Sequence, residues 1–143
     1  MVTLEDKQNE LATFQSGPLE NLTIQDALII SALFAVEADL EKLKRISEFA
    51  QKHPLFVEKS EDTSARVNKF ANLMQGDQSL KAVEAATRAL KPKHRQQAFE
   101  FAIKAALADK RPLEKKKKLL QMLAAKLELE DGFVGQKLAK IKE

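Results

Sequence analysis

The chain has 143 residues, enough for one domain, and its 44% hydrophobic and 31% charged residues are the balance of a globular protein rather than a disordered one. It has no cysteine, which excludes disulfides, thiolate catalysis and cysteine-ligated zinc or iron–sulfur clusters. Net charge is only +3, yet residues 1–63 carry twelve acids and six Lys/Arg while residues 64–143 carry nine and eighteen, so either the halves attract each other or the second half presents a basic face to an acidic partner.

Residues 3–15 form the first predicted helix, with Leu4, Leu11 and Phe14 roughly on one side, Thr3 and Asp6 as a shortened capping box, and Gly17-Pro18 as its end. Its apolar stripe is sparse, so residues 1–22 are expected to be a loosely held helical arm on a domain spanning residues 23–143. Thr23 caps the second helix, with Asp26 at its positive N-terminus. Ile24, Ala27, Leu28, Ile29, Ile30, Leu33, Phe34 and Val36 make this helix apolar around most of its circumference, which predicts a place at the centre of a bundle. The phase changes at Ala38-Asp39. A third helix capped by Asp39 then carries Leu40, Leu43, Ile46, Phe49 and Ala50 as far as His53-Pro54; the alternative is that residues 37–41 simply continue the second. Leu55-Phe56-Val57 reads as an apolar plug at a corner.

The fourth helix starts at Ser60 or Asp62, carries Val67, Phe70, Ala71 and Met74, and ends at Gly76, suited to a left-handed cap. Ser79 caps a fifth, with Leu80, Val83, Ala86 and Leu90 on its inner face, which stops at Lys91-Pro92. A sixth covers residues 95–108 through Ala98, Phe101, Ala102 and Ala105. Pro112 opens a seventh with Leu113, Leu119, Leu120, Leu123, Ala124 and Leu127. The eighth begins near Glu130-Asp131 and carries Phe133, Val134, Leu138 and Ile141. No strand-like alternation persists over a useful length, so the expected fold is an all-α bundle of seven to eight helices.

Two stretches echo one another. Residues 26–56 and 97–134 each read as an apolar helix, an Ala-Asp doublet (Ala38-Asp39, Ala108-Asp109), an amphipathic helix and a corner, which predicts two pseudo-repeated halves. Residues 35–39, 40–51 and 53–56, with residues 105–109 and 114–127, resemble the tellurite-resistance TerB-like family, whose superfamily includes a helical domain of DjlA-type co-chaperones. The resemblance covers roughly residues 23–141. It implies the two-halved bundle and a role as a non-enzymatic stress-response accessory that docks another protein. In that family the doublet is followed by Gly and then several acids; here Leu40 and Lys110 replace the glycines, and only Glu41 and Glu114 survive of the acids.

Chemistry-bearing residues are few. Glu37, Asp39, Glu41, Asp109 and Glu114 converge if the two turns lie side by side, and are the candidate ligands for calcium or magnesium; with lysines just downstream they make a poor cage for a cation wanting six or more oxygens. His53 and His94 lack any metal-hydrolase spacing, and nucleophile elbows, phosphate loops and dinucleotide fingerprints are absent, so no enzymatic activity and no other cofactor are expected. Residues 91–118 hold ten Lys/Arg against three acids, including Lys115, Lys116, Lys117 and Lys118. That run is a candidate interaction patch, but without Tyr, Trp or Arg forks it suits neither base reading nor stacking, and nucleic-acid or anionic-membrane binding is the lesser alternative to a solvated helix face. The expected mode of action is protein docking in a groove between the halves, with the acidic or the basic side orienting an unidentified partner. No apolar run reaches the ~18 residues of a membrane span, the first ten residues show no leader pattern, and the lack of cysteine fits a reducing compartment, so a cytoplasmic location is expected.

Overall fold

A computed structural model describes residue 19 and residues 21–56, 60–75 and 78–141. Seven α-helices follow one another in the order α1 (Ile24–Ala35), α2 (Leu43–Lys52), α3 (Ser60–Leu73), α4 (Gln78–Ala89), α5 (Pro92–Leu107), α6 (Leu113–Lys126) and α7 (Asp131–Ala139), with a 3-10 turn (Leu40–Lys42) before α2 and no strand among the described residues. The helical segment expected at residues 3–15 lies outside the described residues, as do Val57 and Gly76.

The centre of the bundle is α1, buried at every residue from Asp26 to Ala35. A helix apolar on all sides has no face to give to water, so its neighbours must enclose it. They do: α5 packs along it most extensively, then α4, with α3, α6 and α2 completing the surround. Buried alanines on both α1 and α5 let the two axes approach closely. Phe70, Phe99, Leu120, Leu123 and Leu127 fill the remaining interior, each contributing about 1.5–3 kcal/mol by leaving water. Phe99 meets Phe133 of α7 edge-on with ring centres 6.1 Å apart, which ties the last helix to the core.

Local chemistry explains the starts. Thr23 and Asp26 form a full capping box: the Asp26 N–H donates to Thr23 Oγ1 (3.1 Å) and the Thr23 N–H to Asp26 Oδ2 (3.0 Å). Arg66 of α3 donates to the same carboxylate, binding the start of α1 to a neighbour. Pro92 rather than Arg95 opens α5, since a first-turn residue has no use for its missing N–H.

The helix ends depart from expectation. Both α1 and α6 terminate in a Schellman motif, yet neither has glycine there. At α1 the Ala38 N–H donates to the Leu33 carbonyl (2.7 Å) and the Glu37 N–H to that of Phe34 (3.1 Å), with positive φ at Glu37 (55°) and Ala38 (52°). At α6 the Leu129 and Glu128 N–H groups reach Ala124 and Ala125 (both 3.1 Å), with Glu128 at φ 58°. The chain therefore leaves α1 at Val36 instead of continuing through residues 37–41. Asp39 does act as a cap, but of the 3-10 turn, whose Glu41 N–H it accepts at 2.9 Å; α2 begins only at Leu43, and Leu40 is 58% exposed rather than inward. The second doublet does not copy the first, because Ala108 keeps a right-handed backbone (φ −81°, ψ −11°).

Candidate functional site

The two Ala-Asp turns meet, and the side chain between them is Arg111. Its Nη2 lies 3.1 Å from Asp39 Oδ2, its Nη1 3.1 Å from Glu37 Oε1 and its Nε 3.3 Å from Asp109 Oδ2. Only the Asp39 contact has full hydrogen-bond geometry; Arg111 Nη1 and Asp109 Oδ2 approach their partners as ion pairs without alignment. Lys115 reaches Glu37 at 3.1 Å and Lys42 reaches Asp109 Oδ1 at 3.7 Å. Asp109 matters most in this group, because its side chain is 2% exposed and its charge cannot be left to water.

Three of the five candidate metal ligands, Glu37, Asp39 and Asp109, are thus brought together, around a guanidinium that supplies the positive charge. Glu41 sits exposed in the 3-10 turn, touching the group only through its N–H, and Glu114 lies exposed on α6. Among the described residues no group of three or more His, Asp or Glu is arranged to hold a metal ion. The Asp39 carboxyl is held below the usual carboxylate range chiefly by the Glu41 N–H, with Arg111 adding to that hydrogen bond and burial opposing it.

Two members of this charged group, Glu37 and Lys115, also line an open groove of about 830 Å3. Phe34, Met74 and Leu119 give it an apolar floor, while Leu80 of α4 and Met122 of α6 stand at its walls, 41% and 43% exposed. Glu37, Glu114, Lys115 and Lys118 supply charge around it. The four-lysine run therefore divides: Lys115 and Lys118, three apart on one side of α6, line the groove, whereas Lys116 and Lys117 do not and are half-buried. Lys115 is paired with Glu37; Lys118 makes no ion pair among the described residues.

A smaller recess of about 380 Å3 holds His53, Gln97, Glu100 and Lys104 over Leu55 and Phe101. His53 Nδ1 accepts from the Leu55 N–H (3.2 Å), so the neutral ring carries its proton on Nε2, and the ring stands edge-on to Phe56 and Phe101. Burial, with Lys104 nearby and Glu100 opposing, pushes its pKa below the ordinary value. That is the setting of a structural histidine.

Sequence reasoning missed Arg111, which it counted only within a basic stretch, and Met122, which lies about 200° around α6 from Leu120. An apolar residue off the main stripe was the available signal for the second; the first had none. Among the described residues no helix is long and apolar enough to cross a membrane. Compared with known proteins, the chain matches no family model, no curated protein and no solved structure.

Proposed function

We propose that the chain is a non-enzymatic docking module, of the cytoplasmic stress-response kind that its TerB-like resemblance implies, whose groove takes an amphipathic, acidic helical segment of another protein. The groove itself carries this reading: an apolar trough with Leu80 and Met122 exposed on its walls and, beside them, Lys118, which has no ion pair among the described residues. Helix-in-groove recognition uses such a trough for affinity, and charge at the rim for orientation and on-rate. A partner carboxylate would meet Lys118, which makes no ion pair among the described residues. The converging carboxylates support the same reading from the other side, since Arg111, Lys42 and Lys115 already balance them.

The test is affinity capture from native lysate with the wild-type chain and with a Leu80→Glu, Met122→Glu double variant. A protein retained by the first and lost by the second, at unchanged melting temperature, supports docking in the groove. Equal capture by both removes it. Calcium and magnesium provide the contrasting outcome: a rise in melting temperature at millimolar ion would favour a cation sensor instead.

A further inference from the structure

The trough is lined unevenly. Along α6 its lining runs from Glu114 and Lys115 through Lys118 to Leu119 and Met122, so it passes from charged to apolar within about 12 Å at 1.5 Å per residue. Several of its polar groups are already engaged: Lys115 is held by Glu37 at 3.1 Å, and Gln75 Nε2 donates to the Ala38 and Ala71 carbonyls at 3.0 and 2.8 Å. Lys118 and Glu114 are exposed and make no ion pair with each other or with any other described residue. The result is an apolar volume with one ammonium at its charged end. Its size, about 830 Å3, falls within the roughly 300–1,000 Å3 of sites that take small organic ligands. Both methionines among the described residues, Met74 and Met122, line it, and flexible thioethers adapt to a flexible occupant.

We propose that this trough binds a free long-chain fatty acid, its carboxylate on Lys118 and its acyl chain over Phe34, Met74 and Leu119 between Leu80 and Met122. Glu114 sets the direction. It stands one turn before Lys118, about 6 Å further from Met122 along the axis, so it repels the carboxylate from that end and the tail runs towards the apolar one. The inference goes beyond the docking reading, because it needs the trough but no protein partner. An acidic amphipathic helix and a fatty acid offer the same two features, so the ligand competes with any partner for Leu80 and Met122. A methylene wholly removed from water tightens binding about fourfold, and in a trough open along one side about twofold per carbon is expected. An ion pair at an exposed rim adds about two- to fivefold.

The experiment titrates the full chain, carrying 13C-methyl methionine, with sodium octanoate and sodium dodecanoate, each below its micellar concentration. The chain has only three methionines, so the spectrum is simple and Met→Leu variants assign it. Saturable shifts of the Met74 and Met122 methyl signals are expected, with dodecanoate binding about 16-fold more tightly than octanoate. Lys118→Gln should weaken dodecanoate about two- to fivefold, and the Leu80→Glu, Met122→Glu variant should abolish binding at unchanged melting temperature. Methyl signals that stay put or never saturate overturn the inference, as does binding indifferent to the groove changes. Dodecyltrimethylammonium, which carries the same tail on a cationic head, should bind more weakly; equal affinity overturns the role of Lys118 and the proposal with it. Methyl signals that move with protein concentration before any ligand is added would assign the trough to a second copy and refute the fatty acid. Lysate capture that depends on Leu80 and Met122 stands even if dodecanoate does not bind, and dodecanoate binding stands even if no protein is captured.

Discussion

Replacing Arg111 with methionine removes the one side chain that touches Glu37, Asp39 and Asp109 together. Methionine approximates the aliphatic stem, so the packing loss is small and the main effect is electrostatic. Asp109 is left with Lys42 at 3.7 Å as its remaining counter-charge. Breaking a buried ion pair by removing one partner costs about 3–5 kcal/mol. Arg111 is 22% exposed, so water screens part of this, and a loss of about 2–3 kcal/mol is expected. For a chain of this length that lowers the melting temperature by about 5–10 °C, read by circular dichroism with a parallel urea titration. Adding Asp109→Asn removes the stranded charge at nearly constant shape and should recover more than half of the loss, a coupling visible in a double-mutant cycle. If Arg111→Met lies within about 0.5 kcal/mol of wild type, or Asp109→Asn restores nothing, the guanidinium is not what balances these carboxylates.

Further outcomes follow from the helix ends, the core and the histidine. Glu128→Gly should stabilise the chain by about 0.5–1 kcal/mol in urea, because glycine takes positive φ freely and the Arg95 ion pair it removes involves a carboxylate 72% exposed. Phe99→Ala should cost about 3–5 kcal/mol by opening a cavity in the core where α5 meets Phe133 of α7, measured in the same titration. The pKa of His53 is lowered in the folded chain, so below about pH 6.5 the unfolded state binds the extra proton and stability should fall as the pH drops towards 5; His53→Gln should flatten that slope. Asp39 acts at lower pH: its folded pKa is depressed, so its contribution is present above the unfolded value of 3.8 and lost on acidification below it, an effect that Asp39→Asn should remove from an acid melt.

Local signals carried most of the helical order. The apolar circumference of residues 24–36, the Thr23–Asp26 capping box and the prolines at 92 and 112 each act within a few residues, so the chain alone specified which segments coil and which one lies at the centre. The same signals failed where long-range packing overrides local preference. Glu37, Ala38 and Glu128 hold left-handed turns without glycine, and Gln75 Nε2, from the turn that follows α3, bonds the Ala38 carbonyl at 3.0 Å. Leu40 and Leu80 matched helical stripes by spacing, yet one falls in a 3-10 turn and the other on a groove wall. The paired doublets pointed to a meeting of Asp39 with Asp109, but nothing in the sequence put Arg111, seventy-two positions on from Asp39, between them. Periodicity reports which side of a helix avoids water; which charges face each other, and where a gap is left open between helices, is decided only when the helices pack.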